Sequence, residues 1–240
     1  MIKVTIFNEF YHEKTHEEAK KMYPDGIHSL LKNSLECDDI AVKTVTLDDE
    51  NCGISEEVLL NTDVLIWWGH MRHHLVPDEV ADLVADHVRR GMGAIFLHSG
   101  HHSKPFKRLM GTTCDLYWRE DGDSELLWVV NPSHPIANGI ERFIKLEHEE
   151  TYAEPFAVPE PEELVFIGSF TGGEVFRAGC CYRRQNGKIF YFQPGHETYP
   201  SYYNEDVIKV IKNAIYWAKP EIDRVNFGDT HLTVSDNWGK

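Results

Sequence analysis

Three of the fourteen histidines in this chain of 240 residues close short apolar runs. The runs are Val64-Leu65-Ile66-Trp67-Trp68-Gly69-His70, Ala94-Ile95-Phe96-Leu97-His98, and Ile189-Phe190-Tyr191-Phe192-Gln193-Pro194-Gly195-His196. Imidazole exchanges its proton near neutral pH and is the commonest metal ligand. His98 and His196 are therefore candidates for general acid/base work, and His70, His98 and His196 for holding a cation. A fourth cluster, Glu147-His148-Glu149-Glu150-Thr151-Tyr152, sets a histidine among carboxylates. On an extended chain His148 and Glu150 share one face, opposite Glu147 and Glu149. A histidine with a carboxylate two residues away, as His148 with Glu150, can ligate a metal or pair acid with base; a hydrated edge strand fits the same local pattern equally well. Glu9 lies in Asn8-Glu9-Phe10-Tyr11-His12-Glu13-Lys14-Thr15-His16, directly after the first strand. It is a further candidate acid, with His12 as a contributor and His16 facing water. Glu197, following His196, supplies an orienting carboxylate.

Such residues cooperate only if the fold brings them to one place. Apolar runs of four to eight residues bounded by turn signals predict strands buried on both faces, and these belong to parallel sheets covered by helices. Strands are expected near Ile2 to Phe7, Ala41 to Leu47, Val64 to Trp68 and Ala94 to Leu97. Between them lie a helix over Gly26 to Leu35, a helix start at Ser55, and a helix opened by Pro77 as a first-turn proline. That alternation means right-handed βαβ units in an open parallel sheet, with ligands collecting at the carboxyl ends of the strands. His98 then ends a strand before Ser99-Gly100-His101-His102, a strand, glycine-permitted turn and helix resembling a nucleophile elbow. From Thr113 the pattern changes to strands at Glu125 to Val130, Phe143 to Tyr152, Leu164 to Ser169 and Glu174 to Tyr182, read as an antiparallel extension. A last helix is expected near Asn204 to Ala218. The expected organisation is one α/β domain over 1–220 and a polar tail over 221–240 that packs loosely or against a neighbouring copy of the chain, so a homo-oligomer is expected.

Composition narrows the function. A formal charge of −15 disfavours nucleic acid and anionic membranes as partners, because phosphate backbones need Lys/Arg stripes. Five cysteines, without a C-x-x-C pair and with Cys180 and Cys181 adjacent, argue against a disulfide framework and for a reducing cytoplasm. The start runs straight into a strand, without a signal-like segment, and no stretch is long and apolar enough to span a bilayer. No G-x-G-x-x-G follows the first strand and no Walker-type loop occurs, so a nucleotide cofactor is not expected. There is no H-E-x-x-H helix either, so a metal site must be assembled from separate strand ends.

Several segments together carry a resemblance: Asn8-Glu9-Phe10-Tyr11-His12-Glu13-Lys14, Tyr23-Pro24-Asp25-Gly26-Ile27-His28, Trp67-Trp68-Gly69-His70-Met71, Leu97-His98-Ser99, Lys107-Arg108-Leu109-Met110-Gly111, His148-Glu149-Glu150 and Pro194-Gly195-His196-Glu197. They resemble the ThuA-like trehalose-utilisation family over almost the whole chain to about Pro220. That family is similar in fold to class I glutamine amidotransferases, which implies a flavodoxin-like open sheet, mostly parallel, with helices on both faces. The amidotransferase activity does not carry over. Where that superfamily has a cysteine in a G-x-C-x-G elbow, this chain has His98, with Phe96 two residues before it. Its His-Pro-Glu is matched loosely by His196-Glu197, with proline at 194. Without the thiolate there is no glutaminase thioester.

The resemblance implies an enzyme, a hydrolase or lyase, acting on trehalose or a related 3-keto disaccharide. Its acid/base groups would be His98 and His196, with Glu149 or Glu9 assisting, or a divalent ion, zinc first, held by His70, His98, His148 or His196. Trp68, Tyr152 and Tyr199 would offer flat platforms to sugar C–H faces, with His70 and Glu197 as further substrate-binding candidates. Trp67 belongs to the core, since alternate residues of a buried strand cannot all reach the rim. The other reading is a non-enzymatic sugar-binding or regulatory module that kept the sheet and lost the nucleophile. The gathering of histidines and carboxylates favours the enzyme.

Overall fold

The computed structural model describes residues 1–221, so the expected tail lies, beyond Glu221, outside the described residues. In chain order the elements are β1 (Ile2–Asn8), α1 (His12–Thr15), α2 (Glu17–Met22), α3 (Ile27–Leu35), β2 (Ile40–Thr46), α4 (Glu56–Leu60), β3 (Val64–Trp68), α5 (Asp78–Arg90), β4 (Gly93–Leu97), α6 (Lys104–Met110), β5 (Tyr117–Val129), β6 (Phe143–Ala153), β7 (Glu163–Phe170), β8 (Val175–Arg184), β9 (Gly187–Phe192) and α7 (Glu205–Ala218). The nine strands form one sheet in the order β2-β1-β3-β4-β9-β8-β7-β5-β6. From β2 to β9 every pairing is parallel, and from β9 to β6 every pairing is antiparallel.

The reason lies in the residue pattern. Every residue of β3, β4 and β9 is buried, as a strand between two helical layers requires. On one face α3 and α7 pack on the sheet and on each other, and on the other α5 packs against α4, α6 and β9. Ile27, Leu31 and Leu35 form the buried stripe of α3, and Val207, Val210, Ile211, Ala214, Ile215 and Ala218 that of α7. The Ser55 hydroxyl caps α4 by accepting the Val58 N–H at 3.2 Å. Pro77 stands one residue earlier than expected, at the cap position of α5. Trp67 stacks on Phe7 with ring centroids 3.9 Å apart, inside the core.

The chain order reverses between β1 and β3, which creates a crevice at their carboxyl ends. The loops after β1, β3, β4 and β9 open on that rim. The antiparallel half begins earlier than expected: β5 starts at Tyr117, because the polar stretch Arg119-Glu120-Asp121-Gly122-Asp123-Ser124 continues as a ribbon with β6. The pairing of this ribbon is irregular. Asp123 faces Glu149 while Glu125 faces Leu146, so β6 carries one extra residue there, a bulge. Among the described residues no helix is long and apolar enough to cross a membrane.

Candidate functional site

His98 leaves β4 at φ +50°, a left-handed conformation that a non-glycine residue seldom adopts. The sharp turn falls on the histidine itself rather than on Gly100. Gly100 answers a different need: a Cβ there would stand 3.1 Å from the Trp67 carbonyl oxygen. His98 is fully buried, and its Nδ1 lies 3.1 Å from the Gln193 carbonyl oxygen. A carbonyl only accepts, so Nδ1 carries the proton and Nε2 is left with a lone pair. That Nε2 faces Glu150 Oε2 at 3.1 Å, yet neither atom makes a hydrogen bond.

His70, His98, Glu150 and His196 each offer a ligand atom, all within 4.8 Å of one another. Their outer contacts orient them. His70 Nδ1–H donates to Glu197 at 2.8 Å, and His12 Nδ1 contacts the other oxygen of the same carboxylate. His196 Nδ1 lies 2.9 Å from the Thr198 hydroxyl and 3.3 Å from the Thr198 N–H. A backbone N–H only donates, so in this geometry Nδ1 accepts and the ring proton sits on Nε2; ligation through Nε2 moves that proton to Nδ1, where the Thr198 hydroxyl accepts it. Ligating histidines commonly hold their second nitrogen this way.

Burial governs the protonation of the cluster. It holds His98 and His196 neutral, lowering each to about 4. It raises Glu150 above the ordinary carboxylate range. Burial also opposes charge on Glu197 and His70, but there the mutual hydrogen bonds win. His12 and His70 hold Glu197 well below its usual range, while Glu197 raises His70.

The cluster lies beside a cleft of about 710 Å³ whose lining includes His70, Ser99, His101, Glu150, Tyr152 and His196. Tyr152 stacks on His98 at 5.4 Å and pairs its hydroxyl with Ser99 at 2.7 Å. Trp118 stands opposite Tyr152 across the β5–β6 ribbon and lines the mouth, 65% exposed, with Glu17, Glu18 and Glu120 nearby. The described lining contains neither lysine nor arginine.

Several candidates are placed differently from expectation. His148 is exposed on the outer side of β6, its Nδ1 2.8 Å from the Gly122 carbonyl oxygen, and it does not reach the cluster. The bulge explains this: Glu147 and His148 both face out, and Glu149 and Glu150 are both buried, so strict alternation fails. Glu150 takes the position assigned to His148. Glu149 is an anchor rather than a catalytic acid, accepting the N–H groups of Gly195 at 2.9 Å, Glu150 at 2.9 Å and His196 at 3.2 Å, and the Ser201 hydroxyl. Glu9 is likewise spent on backbone, accepting N–H groups of His70, Met71 and Arg72 at 2.7 to 3.0 Å and shaping the loop that carries His70. Trp68 is buried as well, and its Nε1–H donates to the Gly195 carbonyl at 3.0 Å, so it offers no platform. Gly195 itself has φ +129°, and a Cβ there would collide with the Tyr202 hydroxyl. Glu197 acts on His70 and His12, although its edge lines the cleft. Tyr199 sits beside His196 at 5.2 Å, lining an adjoining hollow with Glu18 and Glu120.

Trp118, Glu120, Ser99 and His101 were not singled out from sequence. The first two sit on a ribbon whose Asp/Gly content signals a turn. The others follow His98 in a segment where only the three-dimensional path decides which residues face inward.

A sequence model of the trehalose-utilisation family ThuA matches residues 3–218. No curated protein matches. A ThuA-like protein from Bacteroides uniformis superposes with a TM-score of 0.65 at 15% identity, covering 90% of each chain. A second, from Parabacteroides merdae, gives 0.62 at 14% identity, covering 92% of each chain. A GMP synthase-like protein from Thermoplasma acidophilum gives 0.51 at 14% identity, covering 90% of this chain and 96% of that one. At such identities the solved structures speak for the fold alone. The chain belongs to the ThuA trehalose-utilisation family, and its fold is the mixed α/β sheet of ThuA-like and glutamine amidotransferase-like proteins.

Proposed function

We propose that this protein is a zinc-dependent hydrolase or lyase acting on trehalose or a related 3-keto disaccharide in the cleft beside His98. One observation carries the metal: His98 Nε2 and Glu150 Oε2 are buried, face each other at 3.1 Å, and make no hydrogen bond. Two lone-pair atoms so placed repel unless a cation lies between them. Three imidazoles and one carboxylate suit zinc, and each histidine already has its other nitrogen engaged.

His70, His98, His196 and Glu150 hold the ion in this reading. Zinc bound there supplies a Lewis acid for a carbonyl or hydroxyl oxygen of the sugar. The rest falls to the chain itself. The Ser99–Tyr152 hydroxyl pair hydrogen-bonds sugar oxygens, Trp118 offers its exposed face to the apolar face of a sugar ring, and Glu17, Glu18 and Glu120 accept from hydroxyls at the mouth. The cleft volume falls within the span usual for small-molecule sites. A lining without lysine or arginine suits an uncharged sugar, and five free cysteines suit work in the cytoplasm.

The test is elemental mass spectrometry of the purified protein, paired with turnover of trehalose and 3-ketotrehalose by the zinc-loaded protein. Near-stoichiometric zinc, lost in His98→Ala and His196→Ala, with turnover of either sugar, supports the reading. Sugar binding without turnover would leave the non-enzymatic binding module. Absence of metal from every preparation, including zinc-loaded ones, would remove the metal mechanism.

A further inference from the structure

If His70, His98, His196 and Glu150 hold a cation, the three imidazoles keep no lone pair free to take a proton from substrate, and the cation draws on the charge of the Glu150 carboxylate and weakens it as a base. Proton transfer then needs another group facing the cleft, and His101 answers to it. It is 2% exposed and lines the cleft. Its Nδ1 lies 2.8 Å from the Cys114 carbonyl oxygen, which accepts only, so Nδ1 carries the proton. Its Nε2 keeps the lone pair and makes no hydrogen bond among the described residues. The carbonyl that sets this tautomer belongs to Cys114 at φ +57°, so a second left-handed non-glycine residue, after His98, shapes the site.

Tyr152 ties His101 to the cluster. Its ring stacks on His98 at 5.4 Å and meets His101 edge-on at 5.6 Å, so the two imidazoles flank one phenol. Other titratable groups on the lining are less suitable. His12 is engaged with Glu197, His102 is paired with Asp115 at 3.2 Å, and His16, Glu17, Glu18 and Glu120 stand at the exposed mouth.

We propose that His101 Nε2 is the proton acceptor of the cleft, taking the proton from the carbon beside the keto group of a 3-keto disaccharide. This rests on the keto-sugar reading above. In the first step the C–H bond breaks, N–H forms at Nε2, and the C–H electron pair moves into an enolate. The enolate then re-forms the carbonyl, a carbon–carbon double bond forms, and the glycosidic C–O bond breaks. The His101 imidazolium returns its proton to the departing oxygen. The products are an unsaturated ketose and a free sugar, with no oxidant, reductant or water consumed. Burial holds His101 well below its usual range, so the ring enters the reaction neutral, and negative charge growing on the adjacent substrate favours its protonation.

The experiment uses the zinc-loaded full chain with 3-ketotrehalose in D2O, following carbon-bound exchange and elimination by proton NMR. His101→Asn keeps an amide N–H in the position of Nδ1, and so the bond to Cys114, but lacks Nε2. It should keep its zinc and melting temperature while exchange and elimination fall by about 10²–10⁴-fold. In His101→Ala, added imidazole should restore at least about tenfold of the lost rate. A His101→Asn variant exchanging within about threefold of wild type overturns the assignment, as does joint loss of zinc and turnover without imidazole rescue. A zinc-loaded wild type that neither exchanges nor eliminates overturns the keto-sugar reading and the assignment with it.

Discussion

Glu149 and Glu150 are neighbours on β6, both buried, and removing each has a different expected consequence. Glu149 accepts three backbone N–H groups and the Ser201 hydroxyl, which tie β6 to the loop carrying His196. Hydrogen bonds to a charged acceptor contribute about 1.5–3 kcal/mol each, and a buried donor left unpaired costs about 1–3 kcal/mol. These terms do not add fully, because the loop relaxes and water enters. Glu149→Ala should therefore cost roughly 3–6 kcal/mol. For a chain of this size each kcal/mol lowers the melting temperature by about 2–4 °C, so the fall should be on the order of 10–20 °C. Glu150 has an oxygen with no partner, and burial raises its pKa, so its charge is a liability in the metal-free protein. Glu150→Gln should leave the metal-free melting temperature within about 3 °C of wild type, or raise it. Zinc affinity should fall by at least about 10-fold, since a ligand is lost. Calorimetric melting of metal-free protein and elemental analysis of zinc-loaded protein read both effects. A Glu149→Ala variant melting like wild type, or a Glu150→Gln variant keeping full zinc affinity, would refute the division of roles.

His148→Ala should leave zinc content unchanged, because the side chain faces out; loss of zinc in that variant would reverse the assignment. Trp118→Ala should leave the melting temperature within about 2 °C, given its exposure, while weakening sugar binding about 3–10-fold by titration calorimetry, the scale of one aromatic contact. A pH effect follows from His98, lowered by burial to about 4 against 6.5 in the unfolded chain. Between those values the unfolded state binds the extra proton, so stability falls as pH drops through this window. Going from pH 7 to pH 5, His98 alone should cost metal-free wild type about 2 kcal/mol relative to His98→Gln, measured by urea unfolding. Raised carboxylates such as Glu149 and Glu150 act in the opposite sense but are common to both proteins. Equal slopes in the two proteins would remove the buried-neutral description of His98.

Much of the frame was legible because burial writes a simple pattern. Val64 to Trp68 and Ala94 to Leu97 lack polar alternation, and both are central parallel strands of the sheet. Their terminal histidines had to come to one rim whatever the loops did, and His70, His98 and His196 meet within 4.8 Å. The ThuA resemblance, carried by the motifs around those same histidines, agrees with the family match over 3–218. Side-chain roles were less legible. Glu9, Glu149 and Trp68 have the residue types of a site, yet their polar atoms bind backbone that shapes the site. Sequence cannot separate a carboxylate that meets substrate from one that satisfies three N–H groups.

The succession of strands and helices along the chain and the unbroken apolar runs of the buried strands are local properties, so the sequence by itself determined the parallel half, its rim and the histidines on it. Which face Glu150 and His148 present depends on one extra residue in the β6 register against β5, a pairing between segments some 25 residues apart. The same ribbon brings Trp118 and Glu120 to the mouth, and a left-handed turn at His98 aims its ring at Glu150. Those are consequences of long-range pairing and of backbone held against its own preference by surrounding packing, and only the tertiary structure decided them.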